Sequence, residues 1–255
     1  VFARILRSEA DRLGYPSSFT IYDTQDSERL LASIIKELNL DKDLYKVKQI
    51  RSRISSFKNS LITVRAYYNN PELLEADKES KRPEMGTIYK EYVDRCFKAG
   101  AMDFDDLLLK TNELLNRFPD VLAKYQERFR YILVDEYQDT NHSQYLIVRA
   151  LADKYQNICV VGDDAQSIYA FRGANIQNIL NFQRDYDDAK VYRLEQNYRS
   201  SGTIVQAANA VIAHNQNRLK KNVWTANAEG HKIIIHRSPT DGEEGRYVAG
   251  DIFER

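Results

Sequence analysis

The sequence predicts an α/β chain built on a parallel sheet, and three observations carry that prediction. Two short apolar runs stop abruptly at acid: Tyr131-Ile132-Leu133-Val134-Asp135-Glu136 and Ile158-Cys159-Val160-Val161-Gly162-Asp163-Asp164. A helix-sized spacer separates them, as a βαβ unit requires. From Gly100 onward helical and strand spacing alternate, whereas residues 1 to 100 read as nearly all helix.

The elements follow in order. A first helix runs to Gly14, an αL cap followed by Pro16. Phe19-Thr20-Ile21-Tyr22 is extended and leads to Asp23 or Thr24 as the N-cap of a helix carrying Leu30, Leu31, Ile34, Ile35 and Leu38 at helical spacing. Another helix covers Leu44 to Phe57. The charged stretch from Glu75 to Pro83 reads as a mobile loop, and a helix follows from about Met85 to Lys98. Leu107, Leu108, Leu114 and Leu115 belong to a helix ending near Pro119. Strands are expected at 131–135, 157–162 and 190–194, with helices near 142–154 and 175–184. Ser200 and Ser201 can cap a helix reaching His214. A strand over Lys232–His236 and a last helix complete the chain.

Composition narrows the class. With 43% hydrophobic residues in 255 there is ample material for a core, which excludes wholesale disorder. No apolar run is long enough for a membrane-spanning helix. Cys96 and Cys159 are far apart, and Cys159 falls in an apparent core strand. They read as free thiols in a reducing compartment, so a cytoplasmic location is expected. Net charge is zero, so global attraction makes no case for nucleic acid. Residues 101–195 nevertheless hold 16 acidic against 11 basic side chains, and that excess coincides with the acid-ended strands. The chain starts inside a helical pattern without methionine and stops without a terminating signal, which reads as a piece excised from a longer protein.

Ligands of open α/β sheets bind at the C-terminal ends of the strands. Adjacent Asp135 and Glu136 there suit a metal–nucleotide site, one carboxylate holding Mg²⁺ and the other orienting or deprotonating water. The competing account is a strand-end turn using Asp for local hydrogen bonds; two such strands in succession favour the site. Gln166, just past the second strand, is an uncharged amide able to sense a terminal phosphate. Tyr169 and Phe171 alternate, with Arg172 next, a pattern suited to stacking on single-stranded bases or simply to core packing. Arg199, beside Tyr198, has the character of an arginine finger, although most arginines at helix starts are not catalytic. Asp103-Phe104-Asp105-Asp106 is best explained as helix capping. No Gly-x-x-x-x-Gly-Lys-Ser/Thr phosphate cradle occurs.

Four strings are specific in combination: Asp103-Phe-Asp-Asp-Leu107, Ile132-Leu-Val-Asp-Glu-Tyr-Gln-Asp-Thr-Asn141, Val161-Gly-Asp-Asp-Ala-Gln-Ser-Ile-Tyr-Ala-Phe-Arg-Gly-Ala174 and Leu194-Glu-Gln-Asn-Tyr-Arg-Ser200. With Gln206-Ala-Ala-Asn209 and Trp224-Thr225, the chain resembles the UvrD/PcrA/Rep family of superfamily 1 DNA helicases. The resemblance implies part of a RecA-like P-loop NTPase sheet, an all-helical inserted subdomain and the start of a second RecA-like domain. Residues 1–100 would be the helical insertion (1B), 101–195 the second half of the first motor domain (1A), and 196–255 the start of the second (2A).

It further implies ATP and Mg²⁺ as cofactors. Asp135 would hold the metal and Glu136 would activate water. Gln166 would couple γ-phosphate state to DNA, Tyr198 would stack on adenine, and Arg199 would reach the γ-phosphate. Tyr169, Phe171 and Arg172 would line the single-strand track; the family commonly has tryptophan at the position of Phe171. The parent would be a 3′→5′ helicase acting on single-stranded DNA and single–double-strand junctions in repair or replication, with other proteins of those pathways as possible partners and no membrane. The excised piece itself would be inactive, since it lacks the phosphate-binding loop and the later motor motifs. The alternatives are a helicase–nuclease subunit of the AddA or RecB kind, a non-catalytic DNA-binding module, and a stand-alone metal nuclease using Asp135, Asp139 and Asp163.

Overall fold

Two apolar cores organise the first of two units into which the chain divides, Val1–Asp185 and Tyr186–Arg255. The computed structural model describes residues 1–216 and 218–254; the Arg172 side chain, the third proposed DNA contact, lies outside what is described.

Helix α1 (Phe2–Ser8) passes into a 3₁₀ turn over Ala10–Leu13, which Gly14 closes in the expected αL conformation at φ 76°. Strand β1 (Thr20–Tyr22) leads into α2 (Thr24–Glu37). Asp23 caps α2 reciprocally: Asp26 N–H donates to Asp23 Oδ1 at 2.8 Å, and Asp23 N–H donates to Asp26 Oδ2 at 3.3 Å. Helices α3 (Val47–Asn59), α4 (Val64–Tyr68), α5 (Pro71–Glu79) and α6 (Met85–Lys98) follow. Their apolar stripes meet around Leu31, Ile34, Ile50, Phe57, Ile88 and Tyr89 in the first core. Each such side chain contributes about 1.5–3 kcal/mol by leaving water.

Helix α5 corrects the loop expected over Glu75–Pro83, because it continues through Glu79. Asn70 accepts from the N–H groups of Glu72 and Leu73, and Pro71 is preset for the first turn. Asp77, read as loop charge, is buried against Tyr67 Oη at 2.9 Å and Arg53 Nε at 3.1 Å.

Strand β2 (Ala101–Asp103) pairs in parallel with β1, Thr20 opposite Ala101 and Tyr22 opposite Asp103. Helices α2 to α6 are therefore an excursion between two neighbouring strands. Helices α7 (Phe104–Arg117) and α8 (Pro119–Arg128), strand β3 (Ile132–Val134), helix α9 (His142–Ala152) and strand β4 (Ile158–Val160) build the second half of the unit. Ile5, Leu6 and Phe19 pack there with Met102, Leu114, Tyr125 and Ile147, so the first twenty residues share this core and not the helical one. Helix α8 was not anticipated; Pro119, read as a terminator, occupies its first turn.

Strands β3 and β4 are parallel, with Leu133 opposite Cys159. The fold is thus mixed α/β with short parallel strands, as the sequence predicts. The expectation that these strands are buried is corrected. Leu133 is 79% exposed and Cys159 is exposed, because residues facing that side of the two-stranded sheet have no layer over them. The helix expected over 175–184 is two short ones, α10 (Gln177–Leu180) and α11 (Phe182–Asp185).

In the second unit, α12 (Gly202–Ile212) starts after Ser201 as expected, but the serine side chain makes no capping bond. The carbonyls of Ala228 and Glu229 instead accept from the N–H groups of Gly202 and Thr203, each at 3.0 Å. Helix α13 (Asp241–Glu254) ends the described chain. The strands expected at 190–194 and 232–236 are absent among the described residues. Neither run finds a partner: Leu194 is 85% exposed and Ile235 92%, and apolar spacing without a neighbouring strand does not make a sheet. Among the described residues of this unit, pairing is confined to one parallel bridge, Gln196 with Trp224.

Candidate functional site

The parallel register of β3 and β4 places both acidic strand ends at one edge. Backbone bonds lock them together, Val161 N–H donating to Val134 O at 2.8 Å and Tyr137 N–H to Val161 O at 3.0 Å. Between these bonds Glu136 adopts φ 50° and ψ 43°, the left-handed region, which costs a residue with a Cβ on the order of 1–3 kcal/mol. Burial of the next two residues holds it there. Tyr137 packs edge-to-face on Phe182, and Gln138 is wholly enclosed.

Asp135 and Glu136 are both exposed at this edge. Asp135 Oδ1 accepts from Glu136 N–H at 2.9 Å, and Glu136 Oε2 accepts from Gln138 Nε2 at 2.8 Å. The local bonding of the strand-end account is therefore present, but it engages one oxygen of each carboxylate. For Mg²⁺, the donor set fits partial ligation: an exposed carboxylate is a hard oxygen donor of the kind that would hold the ion together with substrate phosphates and water. No group of three or more His, Cys, Asp or Glu able to hold a metal occurs among the described residues.

On the second strand end Asp163 organises the turn that carries Gln166. Its Oδ1 accepts from Ala165 N–H at 3.0 Å, and its Oδ2 from Gln166 Nε2 at 2.9 Å. Gln166 is exposed and lies on the same edge as Glu136, joined to it through Gln138 and Asp163. Tyr169 and Phe171 follow on a 3₁₀ turn over Ala170–Arg172, their ring centroids 6.0 Å apart and inclined by 48°. Phe171 is 78% exposed and Tyr169 36%, so neither ring belongs to the apolar cores.

The structure thus gathers Asp135, Glu136, Gln166, Tyr169 and Phe171 in the first unit. Tyr198 and Arg199 belong to the second, where Asn197 Oδ1 accepts from the N–H groups of Arg199 and Ser200 at 3.0 and 2.7 Å. Asn227 Nδ2 donates to the carbonyls of Tyr198 and Ser200. This turn leaves the Tyr198 and Arg199 side chains exposed.

Two polar residues escaped the reading of the sequence. Gln138 is one; the signal available was an amide two residues past an acid pair. Lys58 is the other, fully buried between the Asp103 and Asp106 carboxylates at 2.7 and 2.8 Å. Those aspartates cap α7 as expected, and do so as a reciprocal capping box, Asp106 N–H donating to Asp103 Oδ1 at 2.8 Å. Burial opposes charge on Lys58, yet the two carboxylates hold its ammonium well above the usual range. Burial pushes the Asp106 carboxyl up to about 6 against the pull of Lys58. Burial also opposes charge on Asp103, but Lys58 prevails and holds it below its ordinary value.

Comparison with known proteins decides the family. Residues 1–187 match the UvrD/REP helicase N-terminal domain, and residues 192–255 match the UvrD-like helicase C-terminal domain. The chain belongs to the UvrD/REP helicase family. It is 45% identical to the ATP-dependent DNA helicase PcrA of Bacillus subtilis over 98% of its own length and 33% of that protein's. The Staphylococcus epidermidis and Staphylococcus aureus PcrA helicases are 44% and 43% identical, each over 98% of this chain and 34% of theirs. The chain therefore spans about a third of the length of these curated relatives. No helix among its described residues is long and apolar enough to cross a membrane.

Proposed function

We propose that the parent of this UvrD/REP family chain is an ATP-dependent DNA helicase that moves 3′→5′ on single-stranded DNA and opens duplex at single–double-strand junctions. The observation that carries the reading is the shared edge of β3 and β4, where Asp135, Glu136 and Gln166 meet beside an exposed aromatic pair. PcrA helicases named for ATP-dependent DNA unwinding are its relatives.

Asp135 would present a carboxylate oxygen to Mg²⁺ on the nucleotide phosphates; the ion would supply charge neutralisation there. Glu136 would orient the attacking water and accept its proton. Gln166 would donate to the terminal phosphate and, once that phosphate left, return to Asp163. Tyr198 would stack on the adenine, and Arg199 would bring a fixed cation to the phosphoryl group. Tyr169 and Phe171 would offer π-faces to successive bases, and Arg172 a cation to the backbone, so that movement of the Gln166 turn shifts the strand track.

In this reading helices α2 to α6 supply the helical insertion, residues 1–22 join 101–195 in the first motor domain, as their shared core and the β1–β2 pairing support, and 196–255 begin the second. The protein acts in the cytoplasm on DNA under repair or replication. The 255 residues alone, which contain no Gly-x-x-x-x-Gly-Lys-Ser/Thr, would not turn over ATP.

The test is ATP hydrolysis by the full-length parent, with and without single-stranded DNA, beside a Glu136→Gln variant. Strong stimulation by DNA, lost in the variant, supports the motor. A folded parent that hydrolyses no ATP contradicts it and favours a binding module.

A further inference from the structure

The Gln138 side chain is 1% exposed, and both of its polar atoms are committed. Nε2 donates to Glu136 Oε2 at 2.8 Å, and Oε1 accepts from Asp163 N–H at 3.0 Å. An ionised carboxylate only accepts and a backbone N–H only donates, so the amide has one workable orientation and a flip would break both bonds. Gly162 makes room for it: a Cβ there would stand 2.5 Å from Gln138 Oε1 and 2.8 Å from Ile179 Cδ1. Tyr137 N–H to Val161 O and Ser167 Oγ to Gln138 O, at 3.0 and 3.4 Å, fasten the backbone on either side.

One buried amide therefore spans two loops. On one side is Glu136, held in a left-handed conformation with its carboxylate otherwise exposed. On the other is Asp163, whose own carboxylate holds Gln166. We propose that Gln138 is the positioning residue of the site. It fixes which carboxylate oxygen of Glu136 faces inward, leaving Oε1 for water, and it transmits displacement of the Asp163–Gln166 turn to that carboxylate. The inference rests on the reading of Glu136 as the water-activating base. Gln138 itself touches neither water nor nucleotide in this role. Its loss should slow the chemical step without weakening the binding of either substrate.

The experiment uses the full-length parent with Gln138→Met, which keeps the volume and removes both hydrogen bonds. Gln138→Glu, which keeps the size and the acceptor for Asp163 N–H but sets a carboxylate against Glu136, reads the same contact if the methionine variant does not fold. The expected result is a fall of about tenfold or more in the kcat of DNA-stimulated hydrolysis, with the KM for ATP and the Kd for single-stranded DNA within about twofold of wild type. A kcat within about twofold of wild type overturns the proposal, as does an equal loss of kcat and both affinities, which marks general damage. Glu136→Gln runs beside them. Undiminished hydrolysis in that control overturns the reading of Glu136 and this inference with it. Lost hydrolysis there, with Gln138→Met unimpaired, overturns this inference alone.

Discussion

Asn141 Nδ2 donates to Asn59 Oδ1 at 2.8 Å, tying the segment just past the Asp135-Glu136 turn to the C-terminal end of helix α3. Asn141 also caps α9, accepting from Gln144 N–H, while Asn59 Nδ2 donates to Asp105 Oδ1 at 2.8 Å. The helical excursion is thus anchored both to the first turn of α7 and to the acidic strand end. Removing the shared amide with Asn59→Ala should cost about 1 kcal/mol, since neither partner is fully buried. A shift of the urea midpoint in the full-length protein checks this, and an unchanged midpoint would show that water replaces the amide.

Lys58 carries a larger stake. Lys58→Met would leave the Asp103 and Asp106 carboxylates buried and facing one another, a loss of about 3–5 kcal/mol at neutral pH. Without the ammonium, burial and mutual repulsion raise both carboxyls, in the direction already present at Asp106. The folded variant then binds protons that the unfolded chain has released, so it gains stability as pH falls from about 7 toward 5. Wild type keeps its ammonium charged throughout that range and gains less. The gap between the two should narrow with acid; thermal melts at several pH values measure it. A gap independent of pH would mean that the pair does not carry the cost.

Gly162 is a close-approach glycine. Gly162→Ala drives a methyl group into Gln138 Oε1 and Ile179 Cδ1 and should destabilise by about 1–3 kcal/mol. Because the Gln138 amide oxygen is the nearer of the two atoms, relief of the clash displaces it and disturbs its bonds to Glu136 and Asp163, so DNA-stimulated ATP hydrolysis should fall as well. An alanine variant with wild-type stability and rate would show that this contact relaxes freely.

The aromatic turn gives a binding prediction. Tyr169→Ala or Phe171→Ala should weaken single-stranded DNA binding by about 1–3 kcal/mol each if the rings stack on bases. Fluorescence anisotropy with an unstructured oligonucleotide measures it. Unchanged affinity in a folded variant would return that ring to a packing role.

How much was legible depended on whether a segment's partner could be read from its own residues. Helix α6 was readable, and the starts of α2 and α7 were signalled by Asp23 or Thr24 and by the acidic cluster 103–106, because caps and helical stripes are local. The two acid-ended strands were readable because an apolar run broken by a carboxylate is also local. Pairing is not local. Runs 190–194 and 232–236 carried the right spacing but have no strand beside them among the described residues, and β1 and β2 are joined across helices α2 to α6. Asp77 was read as solvent charge because Tyr67 and Arg53 reach it only in three dimensions. Gln138 was hidden for the same reason: its two partners lie on separate strand ends.

The central claim is that ATP bound at the β3–β4 edge drives strand separation, and duplex unwinding by the full-length parent tests it most directly. Duplexes with a 3′ or a 5′ single-stranded tail would be offered with Mg²⁺ and ATP, beside Glu136→Gln and Arg199→Ala. The account predicts ATP-dependent opening of the 3′-tailed duplex, little opening of the 5′-tailed one, and loss in both variants with DNA binding retained. Unwinding that survives Glu136→Gln, or that needs no ATP, would contradict it.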